Sequence, residues 1–423
     1  MFVRRVLVGS AALGLAVLGA VPAASAKTTT TAPAPAAATW LATQLVDGNH
    51  LETSFDGTAY PDAGLTADAV LAFDAAKVEQ DAAARATTWL ATPDVLTGYI
   101  GNGGTESYAG AHAKLALVAE AQGVDPAAFG GRDLLAELRA LQAKTGRFRD
   151  KSQYGDFSSG ISQALAILAL HRAGAGTTLA AAANYLVGSQ CAGGGFPLNF
   201  GQSVCTPDVD TTGFVVQALL AVCRTMPARA LDWLESVQKP DGGFGGSGPT
   251  AAENSNSTAL AAQALRAGGR IEAADRAVAY LIARQVACTG ETADCGAVAY
   301  DESGFDVATA VRATAQATPA LAGVGLADVS ATGAVPTGPQ LACAAPTPTP
   351  TPTATATPTV VRPTPTHTST RAAPAGAAGG SPLPATGTPT GALTGAAVLL
   401  LAAGGGLLVL GRQRRSLRRA AGR

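Results

Sequence analysis

Residues Trp233–Gly246, WLESVQKPDGGFGG, decide the fold. Trp233 and Leu234 close an apolar-patterned helical segment. Gln238 stands four residues after Leu234, and Asp241-Gly242-Gly243 makes a turn. There glycine permits backbone conformations that other residues avoid. Phe244 follows, with two more glycines. Taken alone, the stretch could be a functional glycine loop.

Its relatives inside the same chain argue otherwise. The helix-end leucine recurs as Leu41, Leu90, Leu138, Leu186, Leu234 and Leu281, at steps of 49, 48, 48, 48 and 47. Trp40, Trp89, Tyr185, Trp233 and Tyr280 precede five of them. Gln142, Gln190, Gln238 and Gln285 follow at the same offset. Gly146 with Phe148, and Gly194 with Phe196, repeat the turn of Gly242 and Phe244. A second apolar helix follows each turn: Thr66–Ala76, Tyr108–Gln122, Phe157–Arg172, Thr211–Cys223, Ser257–Ala267 and Val307–Ala317. These second helices are rich in Ala and Leu almost all round, which marks the more buried layer. Strand signals are absent. A period near 48 means repeated supersecondary units that stack to share a core.

The pattern Trp-Leu, Gln, Asp-Gly-Gly-Phe-Gly-Gly resembles the repeats of the prenyltransferase and squalene-cyclase superfamily, across residues 39–343. The resemblance implies an all-α fold, an α/α toroid of six inner and six outer helices. Terpene cyclases, protein prenyltransferase β subunits, thioester domains and cobalamin carriers share that fold, so it does not choose an activity.

The two ends are processing signals. Arg4 and Arg5, the apolar run Val6 to Val21, and Ala24-Ser25-Ala26 read as a secretory signal over 1–26. Residues 27–38 read as a flexible leader. A Pro/Thr-rich stalk is expected over 344–382, too poor in apolar residues to bury a core. Leu383-Pro384-Ala385-Thr386-Gly387 precedes an apolar segment, 391–410, and a basic tail, 411–423. That order resembles the LPXTG sorting signal of Gram-positive surface proteins. It implies a sortase that cuts after Thr386 and joins the chain to cell-wall peptidoglycan. The apolar segment is long enough to hold the precursor in the membrane, with the arginines in the cytoplasm. The expected location is therefore the cell surface.

Setting aside Arg4, Arg5 and the six arginines of the tail leaves 21 of the 29 basic groups against 30 acidic ones, net −9. That balance argues against a nucleic-acid partner. Six cysteines, Cys191, Cys205, Cys223, Cys288, Cys295 and Cys343, are an even number in an exported body and read as three disulfides. Local pairing suggests Cys191–Cys205 and Cys288–Cys295, leaving Cys223–Cys343. Fifteen connectivities are possible.

Pro207-Asp208-Val209-Asp210-Thr211-Thr212 carries the chemistry candidate. It resembles the Asp-rich motif of cyclases that begin by protonating an alkene. The resemblance implies Asp210 as the acid, with Asp208 before it; Thr211 stands where a third Asp is usual. Such chemistry needs a carboxylic acid kept protonated in a dry pocket, with aromatic faces for the cation. Against it, Asp210 aligns with Asp62, Ser107, Asp156, Asn256 and Asp306, each placed to cap an inner helix. Aromatics make up only 5% of the chain. Asp294-Cys295 faintly resembles the zinc ligands of protein prenyltransferases, but no His follows within the body. No metal and no cofactor are expected. His50, His112 and His171 fall in different units and read as structural.

If the ring closes, all six inner-helix N-termini open on one end, and their dipoles and loops line one mouth. Tyr154, Phe196, Phe200, Asn256 and Tyr300 are the expected ligand-binding residues there, beside Asp208 and Asp210. The sequence favours a surface-anchored, non-catalytic module that binds a small molecule or envelope component, or acts in adhesion. The alternative is a terpene cyclase-like enzyme using Asp208 and Asp210 as acid.

Overall fold

A computed structural model describes residues 29–175, 179–222, 227–288 and 293–342. The signal, stalk, sorting motif, apolar segment and basic tail lie outside these residues, as do Cys223 and Cys343.

The described chain forms an α/α toroid. The inner helices are α2 (Ala63–Ala76), α5 (Ala109–Gln122), α7 (Gly160–Arg172), α9 (Val209–Val222), α11 (Ser255–Ala267) and α13 (Val307–Ala322). Each packs on the next, and α13 returns to α2 to close the ring. The outer layer is α1 (Pro33–Thr43), α3 (Gln80–Leu90), α6 (Leu134–Ala140), α8 (Ala180–Gly188), α10 (Ala228–Val237) and α12 (Ile271–Ala283), with a short α4 (Pro93–Ile100) after α3. The composition of the layers dictates this order. Alanine-rich inner helices are buried along most of their length, and Ala67, Ala113, Ala164, Ala218, Ala264 and Ala313 are wholly inaccessible. Such small side chains let neighbouring helices approach closely on both flanks.

The repeated turn joins the layers. In the unit of Trp233, Gln238 donates from Nε2 to the carbonyls of Gly242 (3.1 Å) and Ala273 in α12 (2.9 Å). Gln285 does the same for Gly296 (3.0 Å) and for Pro33 in α1 (2.9 Å), which ties the last unit to the first. Gly242 has φ +94°, and a Cβ there would lie 2.2 Å from the Arg276 carbonyl oxygen. The glycine is required by that close approach. Phe148, Phe196 and Phe244 point into the core.

Two expectations need correction. The leader assigned to 27–38 is ordered from Thr29 onward: Pro33 starts α1, and Ala36, Ala37 and Ala38 are buried in the ring. Pro at a first helical position is pre-set for helix, which a reading of low complexity overlooks. Strands are also present, as short ladders. A hairpin joins β2 (Glu52–Phe55) and β3 (Thr58–Pro61). Two-residue ladders join β4 (Phe196–Pro197) to β5 (Pro207–Asp208), and β6 (Phe244–Gly245) to β7 (Glu253–Asn254). They are too short to leave a periodic signal. β1 (Thr29–Thr30) pairs with β8 (Gln340–Leu341).

Beyond α13 the chain crosses the C-terminal ends of the inner helices as a strap. Leu326 N–H donates to Gln217 Oε1 (2.9 Å), and Arg172 Nη1 donates to the carbonyls of Leu326 and Ala327 (both 3.0 Å). Lys77 Nζ donates to Ser330 O (2.5 Å), and Ala331 N–H donates to Ala121 O (2.7 Å). The strap thus runs over the end of the ring opposite the inner-helix N-termini.

Candidate active site

The site begins with how each inner helix starts. Asp62 and Asp306 cap α2 and α13 as expected, accepting from the N–H groups of Leu65 (2.9 Å) and Ala308 (3.1 Å). The other four assignments shift. Ser159, not Asp156, caps α7. The free N–H of Ala109 in α5 is taken by Asp150 (2.8 Å) rather than Ser107. Asp208, not Asp210, caps α9, and Asn254, not Asn256, caps α11.

In the DVDTT run the structural tasks are therefore divided among the neighbours of Asp210. Asp208 is buried and accepts from Thr211 N–H and Thr211 Oγ1, both at 2.7 Å, and from Ser247 Oγ at 2.8 Å. Thr212 Oγ1 accepts from Phe196 N–H (2.9 Å) and donates to Asp208 O (2.7 Å). Asp210 has no such partner: its Oδ1 is shielded from solvent and makes no hydrogen bond among the described residues. Burial, then the charge of Asp208, pushes the Asp210 carboxyl up to about 7. The Ser257 hydroxyl lies near enough to pull slightly the other way, short of hydrogen-bond geometry.

The turns set the level of each helix. Thr66, Gln163, Thr212, Thr258 and Thr314 accept from the N–H groups of Leu51, Phe148, Phe196, Phe244 and Val298 at 2.8–2.9 Å. These residues face the outer layer. A residue two positions away lies about 200° round the helix, on the side facing the ring axis. Two before them stand Gly64, Ile161, Asp210, Asn256 and Arg312. Gly110 of α5 packs beside Ser162 and completes that level. Two after them stand Asp68, Leu165, Phe214, Leu260 and Gln316, with Lys114 of α5 bonded to Asp68 at 2.7 Å. Acid and amide, Asp210 and Asn256, thus sit side by side on neighbouring helices. Phe214 lies one turn below the acid, and the glycines Gly64 and Gly110 leave room on the far wall.

Of the residues expected in the site, the structure brings together Asp208, Asp210, Asn256 and Tyr300. Tyr300 is half-buried; its carbonyl accepts from Ser255 N–H (2.7 Å). Burial and the nearby Asp210 raise its phenol above the ordinary range. Three others fall elsewhere. Phe196 is buried in the core because its N–H and strand pairing hold it under α9. Phe200 packs edge-on against Tyr185 (5.0 Å between centroids), with Arg147 over its face (5.2 Å). Tyr154 is 53% exposed on the rim, in a loop turned outward by its bond to Ser152.

Sequence reasoning missed Ser257, Phe214, Arg312 and Asp68. Lys114 offered a signal: a lysine in the middle of a largely buried helix. A cavity of ≈ 390 Å³ lies at the opposite end, between the strap and residues such as Gln217, Gln263 and Arg266; it contains none of the expected site residues.

Cys191 and Cys205 form the expected disulfide, closing the loop that carries Phe196 and Phe200. Cys288 is also disulfide-bonded, but not to Cys295, whose sulfur lies 3.9 Å from Ala287 O. Backbone bonds between Val286 and residues 296–297 close that loop.

No protein-family model and no curated protein matches the chain. Solved structures do. A protein from Actinoplanes is 17% identical and covers 68% of this chain and 97% of its own, with a TM-score of 0.50. The type II terpene cyclase MstE from Scytonema, solved with geranylgeranyl dihydroxybenzoate, is 15% identical over 70% of this chain and 97% of its own, at a TM-score of 0.51. An α-amylase from Clostridium perfringens is 10% identical over 72% and 99%, at 0.53. At these identities the likeness is one of fold. The preference for a non-enzyme is corrected to this extent: named enzymes, a terpene cyclase and an α-amylase, stand on the same fold, and the capping duty held against Asp210 belongs to Asp208.

Proposed function

We propose that this chain is a terpene cyclase-like enzyme in which Asp210 is the acid. The observation that carries the reading is the state of that one carboxyl. It faces the axis of a ring strapped at the far end, its Oδ1 accepts no hydrogen bond, and burial with the charge of Asp208 raises it to about 7. The Asp210 O–H bond breaks as a C–H bond forms at a terminal alkene carbon. The positive charge falls on the more substituted carbon, beside the face of Phe214. A second alkene of the same molecule attacks it, closing a ring with a C–C bond. The last cation loses a proton to water, and the Asp210 carboxylate regains one at the mouth. The product is an isomer of the substrate.

Asp208 positions the acid, and its cap and its charge both favour the protonated neighbour. The sequence signals further suggest export, sortase cleavage after Thr386 and display on the cell wall, which fractionation of cells lacking sortase would test. The enzymatic reading is tested by incubating the purified chain with polyprenyl substrates and reading products by gas chromatography–mass spectrometry. Products of unchanged mass should form, and Asp210→Asn should reduce them by about 10²–10⁴-fold. Unchanged turnover in that variant refutes Asp210 as the acid.

A further inference from the structure

The charges on the ring wall carry a statement about substrate class, which rests on the cyclase reading of Asp210. At the two levels that face the axis there are two cations, Arg312 on α13 and Lys114 on α5. Neither is free. Arg312 Nη2 lies 2.8 Å from Asp62 Oδ2, and Lys114 Nζ lies 2.7 Å from Asp68 Oδ1. All four side chains are at most 21% exposed. Asp62 is further committed as the α2 cap and as acceptor from Thr53 Oγ1 (2.8 Å). Arg312, with these bonds, holds its carboxyl below the usual range despite burial. The remaining wall is Ile161, Leu165, Phe214 and Leu260, with the neutral amides of Asn256 and Gln316.

The wall is therefore balanced without a ligand. A diphosphate head would have to draw Arg312 or Lys114 from a partly buried carboxylate, leaving that charge uncovered beside its own. A neutral alcohol or hydrocarbon meets no such penalty, and the two amides can bond a hydroxyl. We propose that the ring takes a neutral polyprenyl or terpenoid chain and rejects the corresponding diphosphate, with Asp62 and Asp68 as the residues that enforce the choice.

Binding separates this from turnover. The full chain carrying Asp210→Asn is titrated with geranylgeraniol and with geranylgeranyl diphosphate, and bound ligand is read by equilibrium dialysis. The alcohol should bind at least tenfold more tightly. Adding Asp62→Asn should shift the ratio about tenfold toward the diphosphate, because asparagine caps a helix as well as aspartate does but no longer occupies Arg312. Circular dichroism checks that the fold is kept. Equal or tighter binding of the diphosphate, a ratio unmoved by Asp62→Asn, or binding of neither ligand overturns the proposal. If the alcohol binds as expected but the unmodified chain turns over no polyene, the acid reading falls while this one stands.

Discussion

The neighbours of Asp210 take the structural work: Asp208 the cap, Thr211 the brace on Asp208, Thr212 the bond to the turn. The raised carboxyl of Asp210 has a measurable consequence for stability. The group titrates near 3.9 in an unfolded chain and at about 7 in the fold. The native state therefore holds the proton more tightly between those values. Stability is complete below about pH 4, falls as pH rises toward 7, and changes little above. Burial also lifts Asp74 and Glu120 to about 7, with the same sign, so the informative quantity is a difference. Asp210→Asn should match the parent chain near pH 4 and exceed it near pH 8 in urea titrations. Activity should decline above pH 7 as the acid ionises. A variant no more stable at pH 8 than at pH 4, relative to the parent, contradicts the buried protonated carboxyl. The two-residue ambiguity between Asp208 and Asp210 could not be settled from composition, since either is a good cap. The pairing of Asp208 with Phe196 across β4 and β5 settles it.

At the scale of the element, the repeated turn works as a joint. Its glutamine reaches the carbonyls of its own glycine and of the next outer helix, and the glycine lets two backbones approach within van der Waals contact. Gly242→Ala should destabilise the chain by about 3 kcal/mol, from a clash with the Arg276 carbonyl added to left-handed strain. Chemical denaturation reads this directly, and a loss under 1 kcal/mol would mean that the approach is not enforced. This joint was legible in the sequence, because glutamine, glycine and aromatic recur at constant offsets. The starts of the inner helices were legible only to within two or three residues. Ser159, the residue directly before α7, replaces Asp156, and Asp150 replaces Ser107 because a side chain from another loop can reach a free helix N–H as well as the local residue.

At the scale of the molecule, the strap ties together the C-terminal ends of the inner helices. Its anchors lie on four different helices or helix ends: the side chains of Lys77, Arg172 and Gln217 and the backbone of Ala121. Arg172→Ala removes two donors to the strap and the partner of Glu120 (3.4 Å). The expected loss is about 2–3 kcal/mol. Hydrogen exchange at Leu326 and Ala331 should quicken, while the buried helix α11 keeps its protection. Uniform loosening of all the helices would instead mean that Arg172 supports the ring rather than the strap.

The sequence by itself determined six stacked helix pairs, because apolar helix pairs at a constant period cannot bury their faces singly. Closure into a toroid was implied only by the family resemblance, and the packing of α13 on α2 decided it. The sequence also marked Asp208 and Asp210 as the residues to examine. Only the tertiary structure decided which of them caps α9 and what surrounds the other. Those facts depend on the level at which helices far apart in the chain meet, and on the pairing of Arg312 with Asp62 and of Lys114 with Asp68. Periodicity specifies which side of a helix is apolar. The vertical register between helices is set by single hydrogen bonds from turns, such as Phe196 N–H to Thr212, and leaves no mark on the pattern.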